Sequence, residues 1–197
     1  MPSLPPITQA LILINVAVFC LDQILFGPWF TQLFALWPIG ERFMPWQIAT
    51  YAFLHGGIGH LFFNMLGLWM FGAELEQLWG PRRFVQFYGS SVLAAGLTQL
   101  LIAALLQSPY PTVGASGGLF GLLLAFGMLF PNRTIMPLFP PIPMKARTFV
   151  IVFGAIELAL GFAQPTGGVA HFAHLGGMLG GWLVLRYWRG QPPFGRR

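Results

Sequence analysis

Long apolar runs separated by short stretches of proline, glycine and arginine set the pattern of this chain. They cover about residues 7–26, 59–79, 84–106, 116–130, 147–162 and 169–188. Several are close to the ~20 residues that an α-helix needs to cross a bilayer. The breaks between them read as helix ends. Gly80-Pro81-Arg82-Arg83 predicts a tight basic turn, Pro131 closes the fourth run, and 132–146 is a proline-rich linker holding Arg133 and Lys145. A further turn is expected at 164–168. Residues 27–54 differ, being apolar yet broken by Pro28, Pro38, Gly40 and Pro45, and carrying Glu41 and Arg42. They predict an interfacial loop, with Trp29, Trp37 and Trp46 at headgroup depth and short amphipathic helices lying flat. The expected fold is an all-α polytopic membrane protein, a six-helix bundle with a long interfacial first loop, in one domain over 1–197. Residues 1–6 form a short lead-in, with no room for a soluble N-terminal domain.

Composition agrees with this pattern. The 197 residues are 56% hydrophobic and 8% charged, against roughly 25% charged in a soluble domain. Mean hydropathy is +0.70. The single cysteine, Cys20, excludes an internal disulfide. Ten Lys and Arg outnumber five Asp and Glu, but they sit at helix ends instead of in one patch, so they report topology and not a nucleic-acid partner. With both termini cytoplasmic, Arg82, Arg83, Arg133, Lys145, Arg147, Arg186, Arg189, Arg196 and Arg197 fall inside and only Arg42 outside. Spans two, four and six then begin at the outer face, and their first turns share one depth. With no transit peptide ahead of the first span, a prokaryotic plasma (inner) membrane is the expected location.

That shared depth collects the chain's chemistry. Ser116 lies among Gly114, Ala115, Gly117 and Gly118 at the start of span four, where the helix N-terminus favours negative charge. A serine hydroxyl needs a base to become a nucleophile, and histidine suits that task near neutrality. His171 and His174 stand one turn apart on span six, and spacing does not choose between them. Gly117 on span four and Gly177 on span six allow the close backbone approach that a Ser–His hydrogen bond requires. On span two, His60 and Asn64 share a face and supply two donors. With the backbone N–H groups of Ser116 and Ala115 they would make an oxyanion hole. No carboxylate is expected beside the histidine, so a Ser–His dyad is expected over a triad, with Glu157 read as a lipid-interface or interhelical polar residue. A zinc site drawing on His55, His60, His171 and His174 is the rival chemistry, but HExxH spacing, acidic ligands nearby and cysteines are missing, so neither metal nor cofactor is expected.

Three motifs in order, HGGIGHLFFN at 55–64, GASG at 114–117 and AHLGG at 173–177, make the chain resemble the rhomboid intramembrane serine proteases. The resemblance covers nearly the whole chain. It implies Ser116 as nucleophile, His174 instead of His171 as base, and His60 with Asn64 in the oxyanion hole. It also implies supporting roles for Gly114, Gly117 and Gly177, an aromatic ring at Phe120 stacked on the catalytic histidine, loop-fixing by His55 and a structural glutamate at Glu76. Trp46-Gln47 occupies the place of a Trp-Arg pair found in some members, and here the arginine is absent. The implied partners are the lipid bilayer and transmembrane protein substrates, cut near the outer end of a helix-destabilised segment. Inactive members that bind membrane clients without cutting them are the alternative.

Overall fold

A computed structural model describes residues 4–138, 141–164 and 170–193. The expected turn at 165–168, Val169 at the start of the sixth run, and Arg196 and Arg197 lie outside the described residues. Helix α1 (Pro6–Leu21) starts on proline, whose missing N–H is unneeded in a first turn, and widens into π-helical turns at Asp22–Phe26. The first loop carries α2 (Pro28–Phe34), α3 (Gln47–Thr50) and a 3₁₀ turn at Tyr51–Phe53. The second run is a continuous rod of α4 (Ile58–Gly67), a π-helical stretch (Leu68–Gly72) and α5 (Ala73–Trp79). Then come α6 (Pro81–Leu106), α7 (Ser116–Leu129), α8 (Ala146–Ala163) and α9 (His171–Trp188). The bundle is not wholly helical, because the linker at 132–146 folds back on itself. Its two ends, β1 (Thr134–Ile135) and β2 (Met144–Lys145), pair antiparallel, anchored by buried Ile135.

The sequence explains which helices face lipid. Pro6–Leu25, Pro81–Leu106 and Ala146–Ala163 are long and apolar enough to cross a membrane. Leu97, Leu101 and Leu105 of α6 and Ile151 of α8 point outward, a surface suited to hydrocarbon rather than water. Helix α9 packs against α6, α7 and α8. Its inward face is glycine: a Cβ on Gly177 would strike the Gly117 carbonyl oxygen of α7, and one on Gly180 would strike the Ala94 methyl of α6. Helices in lipid gain no hydrophobic drive toward each other, so such close contacts carry their association.

Buried polar side chains fix the periphery. Glu76 of α5, almost wholly buried, accepts the Ile7 and Thr8 N–H groups at 2.9 and 2.7 Å and the Thr8 hydroxyl at 2.8 Å. It thereby satisfies the open first turn of α1. Gln47 is fully buried and knits the first loop. Its Oε1 accepts the Trp37 and Met44 N–H groups, and its Nε2 donates to the Gln32, Leu33 and Arg42 carbonyls. Trp29 and Trp46 are exposed, whereas Trp37 is half-buried beneath the Arg42 guanidinium.

Candidate active site

The loop ahead of α7 is clamped before the helix begins. Leu36 and Thr112 exchange backbone hydrogen bonds at 3.0 and 2.9 Å, and the Gly114 N–H donates to the Tyr51 carbonyl at 2.9 Å. Gly114 has φ +127°, a conformation open to glycine alone. The space its missing side chain leaves is used: a Cβ there would lie 2.8 Å from His60 Nε2 and 3.6 Å from Ser116 Oγ. Ala115 is fully buried at the N-cap of α7, and Ser116 follows as the first helical residue. N–H groups in a first turn have no carbonyl partner within their own helix.

Helix α9 supplies the partner for the hydroxyl. His174 Nε2 stands 2.7 Å from Ser116 Oγ, and the Phe120 ring, one turn on from Ser116, stacks on the imidazole at 4.3 Å and 5°. The other ring nitrogen, Nδ1, is 2.7 Å from Glu157 Oε2 on α8. Contact between His174 and a carboxylate corrects the expectation of a bare Ser–His pair. Of the two readings of Glu157, the interhelical one holds and the lipid-interface one does not. Glu157 is largely buried and bridges to α9, where the same oxygen also lies 2.7 Å from His171 Nδ1. A carboxylate only accepts, so both histidines carry their proton on Nδ1. His174 is thus left with a lone pair on Nε2 that faces the serine hydroxyl. The ring nitrogen against Ser116 Oγ is that of His174, while His171 bonds to Glu157.

On α4, the Gly56 N–H donates to His60 Nδ1 at 3.4 Å. That fixes the His60 proton on Nε2, toward the gap above Gly114. Asn64 is buried one turn further on, and its Nδ2 donates to the His60 carbonyl at 2.8 Å, keeping one amide hydrogen free. His55, also buried, packs edge-on against His60 with ring centroids 5.1 Å apart. Burial, then the neighbouring His60, hold its imidazole down to about 4.

These groups border a cavity of about 900 Å³. His60, Gly114, Ser116, Gly117 and His174 line it, joined by Tyr51, Gln99 and Tyr110, which were not expected there. Their contribution depends on pairing between distant loops, for which the sequence carries no local signal. Asn64 adjoins the lining through its bond to His60, Ala115 through Ser116, and Glu157 with His171 through the contact to His174. Glu157, His171 and His174 bring three donor atoms within 4.8 Å of one another, a His₂Glu set of a kind that binds zinc. Their 2.7 Å separations are those of hydrogen bonds, tighter than the ~3.3 Å between ligands on a tetrahedral zinc ion.

The Rhomboid domain model matches residues 42–190. Rhomboid protease GluP of Bacillus subtilis is 34% identical over 185 residues, covering 91% of this chain and 34% of its own length. Rhomboid protein 1, mitochondrial, of Saccharomyces cerevisiae is 35% identical over 195 residues, covering 91% of this chain and 54% of its own. RHOMBOID-like protein 1 of Arabidopsis thaliana is 36% identical over 151 residues, covering 76% of this chain and 36% of its own. The chain therefore spans about a third to a half of the length of these relatives.

Proposed function

Because the chain belongs to the rhomboid family, we propose that it is an intramembrane serine endopeptidase that hydrolyses peptide bonds in or near transmembrane segments of other membrane proteins. The observation that carries this reading is the 2.7 Å approach of His174 Nε2 to Ser116 Oγ between two different helices. As Oγ attacks the scissile carbonyl carbon, its proton passes to His174 Nε2. The carbonyl oxygen becomes an oxyanion in the gap above Gly114, held by His60 Nε2–H, the free Asn64 amide hydrogen and the N–H groups of Ser116 and Ala115. The imidazolium then protonates the leaving amine. Water, activated by the same nitrogen, releases the acyl group and regenerates Ser116. No metal enters this scheme.

The charge distribution supports an orientation. Arg82 and Arg83 open α6, Arg133 follows α7, and Arg186 and Arg189 lie at the end of α9. The cavity lies at the other end of α6, among Ile102, Ala103 and Leu106, about 30 Å away at 1.5 Å per residue. The basic end is cytoplasmic, together with both termini, and the cavity faces the outer side of a prokaryotic plasma membrane, where water and a loosened substrate helix meet. The substrates are membrane-spanning proteins. Labelling Tyr110→Cys in a Cys20→Ala background of intact cells with an impermeant thiol reagent tests the orientation, which fails if only lysed cells react.

Cleavage of a single-span reporter in proteoliposomes tests the function. Ser116→Ala and His174→Ala should each abolish it, and chelator should leave it intact. Cleavage that survives Ser116→Ala removes the nucleophile assignment. Reporter binding without cleavage by the unaltered protein would instead favour a client-binding role.

A further inference from the structure

The serine mechanism assigns nothing to Glu157 and His171, although each is largely buried and they meet on α8 and α9 directly behind His174. A lone carboxylate within a membrane span is costly and persists where it is paired. Here one oxygen receives two Nδ1–H bonds. We propose that Glu157 is a positioning residue for the reaction at Ser116, aligning His174 and balancing its charge, with His171 as the brace that holds the carboxylate in place. This rests on the reading of Ser116 and His174 as nucleophile and base.

Three features argue for it. Glu157 fixes His174 in the tautomer that leaves Nε2 free to take the Ser116 proton. When that proton arrives, the imidazolium would otherwise have no counter-charge in contact with it inside the buried site. The carboxylate, already in contact with Nδ1, supplies the balancing charge without reorganisation. No proton moves to Glu157, and no bond to it forms or breaks. His171 shares the same carboxylate oxygen with His174, so its influence on Ser116 passes through Glu157. Among the described residues, the titratable side chains that share the cavity with His174 are His60 from α4, Tyr51 from the 3₁₀ turn and Tyr110 from the loop ahead of α7, with His171 of α9 on Glu157.

The test uses the full chain in proteoliposomes, with kcat and KM for Glu157→Gln, Glu157→Asp, His171→Ala and the double variant His171→Ala/Glu157→Gln. Glu157→Gln keeps the size of the side chain and removes its charge. Its kcat should fall roughly 10- to 10³-fold with KM nearly unchanged. Glu157→Asp should restore part of kcat. His171→Ala should cost severalfold alone and nothing further in the Glu157→Gln background, the signature of two residues acting as one unit. Unchanged kcat in Glu157→Gln would overturn the proposal, as would additive losses in the double variant. Thermal unfolding separates a folding defect from either result. Should Ser116→Ala or His174→Ala remain active, the dyad reading fails. Should both be inactive while Glu157→Gln matches the unaltered protein, this inference alone fails.

Discussion

Replacing Gly177 by alanine tests whether helix packing sets the distance on which the chemistry depends. The added Cβ would strike the Gly117 carbonyl oxygen and stand 2.8 Å from its carbon and 3.2 Å from its Cα. Carbon atoms rest at about 3.5–4.0 Å, and the obstacle is backbone, which no rotamer change removes. Helices α7 and α9 must therefore separate by about 1 Å. Ser116 and His174 ride on those helices, so their 2.7 Å contact opens to about 3.7 Å, beyond a useful hydrogen bond. Misplacement on that scale costs about 10²-fold in rate, and the overpacking costs about 1–3 kcal/mol of stability. The assay is kcat/KM for reporter cleavage in proteoliposomes alongside thermal unfolding in detergent. Gly89→Ala is the control, because a Cβ at Gly89 meets nothing within 4 Å. A Gly177→Ala protein with kcat/KM within about threefold of the original would refute the argument that this crossing holds the serine against the histidine.

Other side chains give narrower tests. Phe120→Ala removes the ring stacked on His174, worth about 0.5–1.5 kcal/mol; kcat should fall roughly 2- to 12-fold, and Phe120→Tyr should retain most of it. Glu76→Ala strands two N–H groups and a hydroxyl at the start of α1, so the unfolding temperature should drop by an amount reflecting about 1–3 kcal/mol, with cleavage at low temperature largely kept. For His55, the folded protein holds the imidazole down to about 4 from an ordinary 6.5. The unfolded chain thus binds a proton between those values that the folded site refuses, and stability falls as pH drops from 6.5 to 4. His55→Phe should flatten that limb in thermal unfolding followed over the same range; an unaltered limb would assign the acid sensitivity elsewhere.

The helices were legible because each apolar run ends in a strong breaker, such as Gly80-Pro81 or Pro131. The observed helices at 81–106, 116–129 and 146–163 start and stop within a few residues of those signals. The spacing of His60 with Asn64, and of Ser116 with its glycines, was local and readable for the same reason. Glu157 was not. In a water-soluble helix its apolar neighbours would mark one face as inside, but in α8 the lipid-facing side is apolar too, as Ile151 and Phe162 demonstrate. Nothing in the residue order said that Glu157 turns toward α9. The clamp between Leu36 and Thr112, and the pairing inside the 132–146 linker, depend on contacts between separated segments that no local periodicity encodes.

The wide-turned stretch between α4 and α5 has a consequence for how this rod tolerates change. Asn64, Leu68, Gly72 and Glu76 are buried at intervals of four residues, a spacing that drifts by about 40° per step on an ordinary α-helix. A π-helical turn takes in the extra residue and cancels the drift, so His60 at one end keeps its bearing on α7 while Glu76 at the other keeps its bearing on α1. The stretch works as a gear between the end of the rod that lines the cavity and the end that anchors the chain's first helix. Loss of one residue there would leave the side chains of α4 and α5 intact and still rotate one end against the other.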